Sequence, residues 1–378
     1  MSNYKIALAH DFLAEYGGAE RVVESLHQLF PSAPLYVAFA DLTHFGSHRD
    51  AFAKMEIRST WMQHLPFVAK IRSPLRIFAP SAFAHLNLRG YDVVISSSNA
   101  YHAKSVKVPN GVHLCYCHTP PRSLYGYDAA STWKKNPLVK FGGQIINHFL
   151  RQTDFLAAQK IDQIIVNSRT TAARVKKYWR RDSLVIYPPV ALVDPRRQIL
   201  PAADRSYFLF VNRLNHAKHP EIAVQACLDL HLPLKVVGAG PLSAHLRQMT
   251  AAAPQSKIEF LGSVSDLQLS DLYARAAAVL YPVIDEDFGI VPIEAMSFGT
   301  PVIAHRSGGP TETIIDGVTG ILFSDLTTNG LKKAIQVFQK TKFNYQKIAA
   351  TTAKFSEKEF QRQILALVER SVQAKKAS

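Results

Sequence analysis

The sequence contains few cysteines and no long apolar run. Three of its 378 residues are cysteine, which is too few for the disulfide framework of a small secreted domain. No run of about 18 apolar residues is present to span a bilayer, and Met1 to Lys5 lack the basic and apolar parts of a secretion signal. We therefore expect a globular protein of the cytoplasm.

Acidic residues are also scarce. The sequence has 44 Lys and Arg against 29 Asp and Glu, a net charge of +15, of which residues 1–196 carry +11. Basic residues alternate with large apolar ones in this half, at Lys54, Arg58, Trp61, Met62, Phe67, Lys70, Arg72 and Arg76, with a second basic cluster at Lys134, Lys135 and Lys140. This surface predicts peripheral contact with an anionic membrane; the alternative is a solvated basic face over an ordinary core. No recognisable nucleic-acid module is present, so we expect no nucleic acid partner.

Patterns typical of metal sites are weak. Cys115 and Cys117 lie two residues apart, but no second pair of ligands follows them. The acidic run Asp285-Glu286-Asp287 precedes a predicted helix start, and nearby cations can bind phosphate without a metal. We predict no metal site and no cofactor.

Short β-type runs alternate with helical patterns along the whole chain, which is typical of α/β proteins with parallel sheets. The predicted strands are 5–9, 35–40, 93–96, 112–117 and 164–167, then 207–211, 234–237, 258–261, 279–282, 302–304 and 321–323. A proline-rich break at 187–201 separates the two series. We predict two Rossmann-like domains, residues 1–190 and 198–355, that face each other across a cleft, with a last helix at 356–378 that crosses back to the first domain.

The most informative stretch runs from Glu286 to Met296. Two carboxylates, Glu286 and Glu294, bracket seven residues, and a helix is predicted to begin at Phe288-Gly289-Ile290. The amide groups and dipole of such a helix start attract a diphosphate. One carboxylate is then placed to bind sugar hydroxyls and the other a ribose, so the stretch predicts a nucleotide-sugar site.

Two cations follow the first strand of the second domain. Arg213 and Lys218 lie in the loop at the carboxyl end of that strand, where α/β units bind their ligands. Together they would neutralise a diphosphate and stabilise it as it leaves. The alternative is a pair of surface bases.

The first domain offers two further candidates. Gly17 and Gly18 lie at a helix start after the first strand, where backbone amides can face a phosphate. The third glycine of the dinucleotide fingerprint is absent, and a plain tight turn explains the pair equally well. His118 ends a predicted buried strand where it would open into the cleft, which favours polar contact with substrate.

These residues resemble a known family. Residues 285–323, with the motif EDFGIVPIEAMSFGTPVIAHRSGGPTETIIDGVTGILF, resemble the retaining glycosyltransferases of the GT-B fold in family four (GT4), and GGAERVVE, CHTPPR, VNRLNHAKHP, VVGAGPL and YARAAAVLYP agree more weakly. Within the family, the EDFGI and CHTP forms are most similar to bacterial mannosyltransferases that use GDP-mannose to assemble surface polysaccharide on a lipid carrier. One departure is His219, where many members have glycine after the lysine.

The resemblance implies a role for each candidate. Glu286 would contact the donor sugar, Glu294 the ribose, Arg213 and Lys218 the diphosphate, Gly17 and the amides of Phe288, Gly289 and Ile290 the phosphates and sugar, His118 the sugar from the opposite domain, and Gly262, Ser263 and Val264 the base. The implied reaction is front-face transfer with retained anomeric configuration, in which no protein nucleophile is needed. His118, Glu286, Arg213 and Lys218 form the implied catalytic set.

The leading hypothesis is therefore a retaining hexosyltransferase that moves mannose from GDP-mannose to a lipid-linked or polysaccharide acceptor. It would work in the cytoplasm, with a peripheral position on the inner face of the cytoplasmic membrane as a further expectation. The alternatives are a transferase of the same fold that uses UDP-glucose or UDP-N-acetylglucosamine, and a non-catalytic protein that binds a sugar nucleotide or lipid.

Overall fold

The computed structural model describes residues 4–377 except 70, 128–136, 195, 252 and 254. Of the predicted basic surface, Lys70, Lys134 and Lys135 and the side chain of Lys140 lie outside the described residues. The chain divides into two compact units, the first made of Met1–Pro189 with Glu357–Ser378 and the second of Val190–Ser356.

Strands and helices alternate along the described chain. The strands are β1 (Ile6–His10), β2 (Leu35–Val37), β3 (Ile57–Ser59), β4 (Val93–Ser98), β5 (Val112–Cys117), β6 (Gln163–Val166), β7 (Leu184–Val185), β8 (Tyr207–Val211), β9 (Leu234–Val237), β10 (Ile258–Gly262), β11 (Ala276–Tyr281), β12 (Val302–His305) and β13 (Gly320–Phe323). The helices are α1 (Gly18–Leu29), α2 (Arg49–Ala53), α3 (Arg72–Leu75), α4 (Ala79–Ala84), α5 (Pro137–Gln159), α6 (Arg169–Trp179), α7 (Pro220–Asp229), α8 (Ser243–Ala251), α9 (Asp266–Arg275), α10 (Ile290–Ser297), α11 (Pro310–Thr313), α12 (Thr328–Lys340), α13 (Tyr345–Ala350) and α14 (Glu357–Ala377).

The first unit is built on a seven-stranded parallel sheet in the order β3-β2-β1-β4-β5-β6-β7. Its central strands β4 and β5 are buried along their whole length, as expected for a parallel sheet with helices on both faces. The strand order reverses between β1 and β4. In such sheets the crevice at this switch point, at the carboxyl ends of the strands, is where ligands bind.

The second unit repeats the same arrangement with six parallel strands, in the order β10-β9-β8-β11-β12-β13. Its switch point lies between β8 and β11, which are direct neighbours in the sheet. The strands read as apolar runs, and their side chains pack with those of α7 and α12 in one core cluster. The loops that follow β8 and β11 therefore leave the sheet at the edge where a ligand is expected.

The α/β fold with two parallel sheets is confirmed, and all the predicted strands are found, with boundaries that differ by a few residues. Two short strands, β3 and β7, were missed. Both lie at the edges of the first sheet, and β3 is largely exposed. An edge strand of two or three residues buries too little apolar surface to leave a periodic signal in the sequence.

The last helix, α14, belongs to the first unit. Its apolar side chains Phe360, Ile364, Leu367 and Val368 are buried in one cluster with side chains of α1 and β1. The spacing of three and four residues places them on one face of the helix. No helix among the described residues is both long and apolar enough to span a membrane.

Candidate active site

The switch point of the second unit brings together two of the predicted site residues. Lys218 follows β8, and Glu286 follows β11. The ammonium of Lys218 donates to Oε2 of Glu286. The side chains retain 23% and 19% of their exposure, so the pair is sheltered but still open to a ligand.

A tyrosine that the sequence analysis did not single out completes this cluster. The hydroxyl of Tyr281, at the end of β11, donates to Oε2 of Glu286 over 3.2 Å. Burial, and then the negative charge of Glu286, hold the pKa of Tyr281 well above its usual value. Tyr281 therefore stays protonated and remains a donor, and Glu286 is oriented from two sides.

The loop that carries Glu286 is shaped by two glycines after β12. The amide of Gly309 donates to the carbonyl of Glu286 over 2.8 Å. A Cβ on Gly308, whose φ is +62°, would lie 2.2 Å from that same carbonyl oxygen, and one on Gly309 would lie 2.1 Å from the carbonyl oxygen of Phe288. No side chain fits at either position. These glycines form part of the site through its backbone, and their only signal in the sequence was the family motif that contains them.

The helix after this loop begins as predicted. α10 starts at Ile290, with Gly289 as N-cap at a φ of +87°, a conformation that favours glycine. Gly289 provides no side-chain cap. The positive end of the helix dipole lies directly after the Glu286 loop, because α10 begins there. Glu294 lies in the second turn, where the Tyr273 hydroxyl donates to Oε2 over 3.1 Å.

The loop after β8 carries Arg213, which is exposed, and is held by two more glycines. A Cβ on Gly238 would lie 2.0 Å from the carbonyl oxygen of Asn212, and one on Gly240 would lie 2.4 Å from that of Leu214. The turn after Lys218 passes through His219, which has the left-handed φ of +49°. The glycine found here in many family members has ready access to this conformation, so the departure changes the residue and keeps the turn.

The residues predicted to meet the base lie at the neighbouring strand end. β10 ends at Gly262, which is followed by Ser263 and Val264. The Gly262 carbonyl accepts a hydrogen bond of 2.8 Å from the amide of Gly238. This bond ties the segment to the glycine loop that supports the loop after β8.

The first unit also concentrates polar side chains at its switch point. His118 follows β5 and is buried, and its Nε2 is 2.8 Å from Oγ of Ser97 in β4. Burial, together with the nearby His10, lowers the pKa of His118 to about 3. His118 is therefore neutral at physiological pH.

Gly17 and Gly18 lie at the start of α1, with Gly17 as N-cap. The φ of Gly17 is −155°, an extended conformation open to any residue. A Cβ on Gly17 would lie 3.3 Å from Oε2 of Glu20. Here glycine leaves room for a neighbouring carboxylate.

The cysteines are buried thiols. Cys115, Cys117 and Cys227 are free and buried, and burial raises the pKa of Cys115 to about 11. In the described part of the chain, no group of three or more His, Cys, Asp and Glu side chains is arranged to hold a metal ion.

Comparison with known families gives a match in each unit. Residues 16–193 match the model described as Glycosyltransferase Family 4, and residues 194–355 match Glycosyl transferases group 1. The chain belongs to the GT4 glycosyltransferases of the GT-B fold. Each of the two units of this glycosyltransferase, which meet at Val190 in the sequence, is thus matched by its own family model.

Two curated relatives are mannosyltransferases by name. The glycosyltransferase is 30% identical to mouse alpha-1,3/1,6-mannosyltransferase ALG2 over 239 residues, which cover 55% of each chain. It is 26% identical to the Schizosaccharomyces pombe protein of the same name over 370 residues, which cover 84% of this chain and 70% of that one. The chain therefore spans about half the length of the mouse relative and about two thirds of the yeast relative.

A solved structure supports the fold. The sucrose-phosphate synthase of Thermosynechococcus elongatus is similar with a TM-score of 0.69 at 22% identity, covering 98% of this chain and 99% of that one. At this identity the likeness shows the two-domain GT-B fold alone.

Proposed function

We propose that this glycosyltransferase moves mannose from GDP-mannose to a lipid-linked or polysaccharide acceptor, with retention of the anomeric configuration. The observation that carries the proposal is the contact between Lys218 and Glu286 at the switch point of the second unit, next to the start of α10. The choice of mannose is supported by the names of the relatives, and the choice of GDP by the EDFGI form of the motif.

The donor would bind through charge complementarity at this switch point. Lys218 provides a cation and the start of α10 a positive dipole end, and exposed Arg213 lies on the same loop as Lys218. Together they can neutralise a diphosphate. We propose that no metal ion is needed, so activity should survive a chelator such as EDTA.

Chemistry would proceed on one face of the sugar. The acceptor hydroxyl forms a bond to the anomeric carbon as the bond from that carbon to the diphosphate breaks, and its proton passes to the departing phosphate oxygen. Negative charge grows on the diphosphate, where Lys218 and the helix dipole stabilise it. Glu286 acts by orientation. Its carboxylate already accepts from Lys218 and Tyr281, which suits a group that holds sugar hydroxyls better than a nucleophile.

Mass spectrometry of products from a matrix of donors and acceptors tests this proposal. GDP-mannose should add one hexose to a lipid-linked or saccharide acceptor, with the α configuration of the donor kept. Turnover of UDP-glucose or UDP-N-acetylglucosamine alone would overturn the mannose assignment. Donor binding without product for any acceptor class would favour the non-catalytic alternative.

We also propose that the first unit docks on an anionic membrane surface. Residues 1–196 carry +11 of the net charge, and the segment around α3 exposes large apolar side chains between its basic ones. These are Trp61 at 50%, Phe67 at 73%, Ile71 at 41% and Phe78 at 50% exposure, and α5 adds Phe149 at 62% and Leu156 at 59%.

Two contacts connect the elements that carry these side chains. The rings of Trp61 and Phe78 meet edge to face, with centroids 6.3 Å apart. Arg76 donates to Oδ1 of Asn147 in α5 over 2.7 Å, which ties α5 to the segment that carries the aromatic side chains. Apolar side chains among cations favour the interface of an anionic bilayer, where the acceptor lipid would be presented.

A further inference from the structure

A chain of hydrogen bonds connects α1 with His118 inside the first unit. Oε1 of Glu20 is 3.3 Å from Nε2 of His10, and Nδ1 of His10 is 3.0 Å from Oγ of Ser97. Oγ of Ser97 is in turn 2.8 Å from Nε2 of His118. These side chains come from α1 and from the carboxyl ends of β1, β4 and β5, so the chain crosses the switch point of the sheet.

The partners fix the direction of each hydrogen bond. Nδ1 of His10 also lies 3.2 Å from the carbonyl oxygen of Ser97, and a carbonyl only accepts, so this nitrogen carries a hydrogen. The Ser97 hydroxyl then receives a bond from His10. Its own hydrogen is then available to Nε2 of His118, and with this direction Nε2 is the unprotonated nitrogen of that ring.

The charges agree with this direction. Although burial opposes a charge on His10, the hydrogen bond and negative charge of Glu20 outweigh it and raise the pKa of His10. Burial lowers the pKa of His118. A positive charge is therefore favoured at His10, beside Glu20, and disfavoured at His118.

We propose that Glu20, His10 and Ser97 are positioning residues that hold His118 as the neutral imidazole with its hydrogen on Nδ1. In this tautomer His118 offers its ligand a hydrogen-bond donor and no base. A hydroxyl or phosphate oxygen of the donor is a suitable acceptor for it. The inference rests on the proposed function for the identity of this ligand, while the tautomer follows from the first unit alone.

Gly17, the first of the paired glycines, has a second role in this arrangement. Glu20 lies in the first turn of α1, and its Oε2 approaches to 3.3 Å of the place where a Cβ of residue 17 would stand. A side chain at Gly17 would press on the carboxylate that holds His10. The lack of a side chain at Gly17 therefore leaves room for the Glu20 carboxylate beside His10.

β4 also contains a matched control. Ser96, the neighbour of Ser97, points to the other face of the sheet, and its Oγ is 2.9 Å from Nε2 of His113. Both serines are buried, and both bind a buried histidine through its Nε2. Replacement of Ser96 removes an equivalent hydroxyl and leaves His118 untouched.

Nuclear magnetic resonance of the full-length protein with ¹⁵N-labelled histidine tests the proposal. The wild-type spectrum should show His118, assigned by its loss in His118→Asn, with a hydrogen on Nδ1 and none on Nε2. Ser97→Ala should convert this signal to a tautomer mixture, while Ser96→Ala should leave it unchanged. A His118 that carries its hydrogen on Nε2, or that is protonated at pH 7, would overturn the proposal even if neither serine variant can be purified.

Kinetics with GDP-mannose as the donor give the second measurement. Ser97→Ala should lower kcat about tenfold, the value of one hydrogen bond, with little change in KM, and Ser97→Thr should restore most of it through its hydroxyl. Equal rates for Ser97→Ala and wild type would also reject the positioning role. If the protein shows the expected tautomer but transfers no sugar, the proposed function is wrong and the tautomer assignment still holds.

Discussion

The ammonium of Lys218 and the carboxylate of Glu286 meet at the switch point between β8 and β11, although 68 positions separate them in the sequence. Lys218 follows β8 and Glu286 follows β11, and the hydroxyl of Tyr281, at the end of β11, holds the carboxylate from a second side. A preorganised pair of this kind suits the proposed electrostatic stabilisation of a departing diphosphate.

Lys218→Met should lower kcat by a factor of about 100 to 1000, the usual loss when a preorganised group facing a developing charge is removed. Steady-state transfer of the donor sugar measures it. The matched control is Lys332→Met, because Lys332 also forms an ion pair in the second unit, 2.8 Å from Asp229, with similar exposure. Similar losses in both variants would argue that Lys218 serves stability alone.

Gly308→Ala should abolish most transfer, because the added Cβ would lie 2.2 Å from the carbonyl oxygen of Glu286 and displace the loop. Gly317→Ala is the control. Gly317 has a similar φ of +74° but no atom within 4 Å of its Cβ position, so it bears the backbone strain without the clash. Comparable activity in the two variants would show that the loop tolerates displacement.

His219 tests the turn after Lys218. With a φ of +49°, this position favours glycine and disfavours a β-branched residue. His219→Val should have a free energy of unfolding lower than that of His219→Gly by about 1–2 kcal/mol. Urea unfolding followed by far-ultraviolet circular dichroism measures the difference, and a valine variant as stable as the glycine variant would contradict the left-handed turn.

The first unit should lose stability as the pH falls from 6.5 to 4.5. Burial lowers the pKa of His102 to about 3, of His113 to about 4 and of His118 to about 3. The unfolded chain binds protons in this window and the folded unit does not, so each histidine removes up to about 1.4 kcal/mol per pH unit. The raised pKa of His10 has the opposite effect, because it makes the folded unit more stable as the pH falls. This effect belongs to the range above pH 6.5, the ordinary pKa of histidine.

Tryptophan fluorescence follows this loss selectively, because all three tryptophans precede residue 190 in the sequence and the second unit, Val190–Ser356, contains none. The urea midpoint reported by this signal should be lower at pH 5 than at pH 7. His113→Asn, which removes one of the three groups, should show a shallower dependence on pH. A midpoint that is constant between the two pH values would refute the buried neutral histidines.

Membrane docking predicts binding to anionic vesicles that weakens as salt rises, since salt screens exposed charges. Cosedimentation should be reduced by Trp61→Ser and by Phe149→Ser. Leu267→Ser is the control, because Leu267 is exposed at 76% on the second unit. Binding that is absent, independent of salt, or equally sensitive to the control would reject the surface.

The placement of several candidate site residues at strand and helix ends was predictable because its signals are local. The start of α10 requires a glycine, a first-turn proline and an apolar run within a few residues, and these are adjacent in the sequence. The positions of Arg213 and Lys218 after a buried strand were equally readable. The glycines at 308 and 309 were missed as contributors because their importance lies in contacts with a loop that another strand brings near. Tyr281 is only five positions from Glu286, but the local sequence pattern does not show that its hydroxyl faces that carboxylate.

The sequence by itself determined the alternating strands and helices, the helix start at Gly289 and the basic character of the first half, since each depends on neighbours a few positions away. Tertiary structure alone decided that Lys218 meets Glu286 and that His118 is linked through Ser97 and His10 to Glu20. The physical reason is the strand order. Parallel strands far apart in the sequence become neighbours in the sheet, and their terminal side chains then come within hydrogen-bond distance.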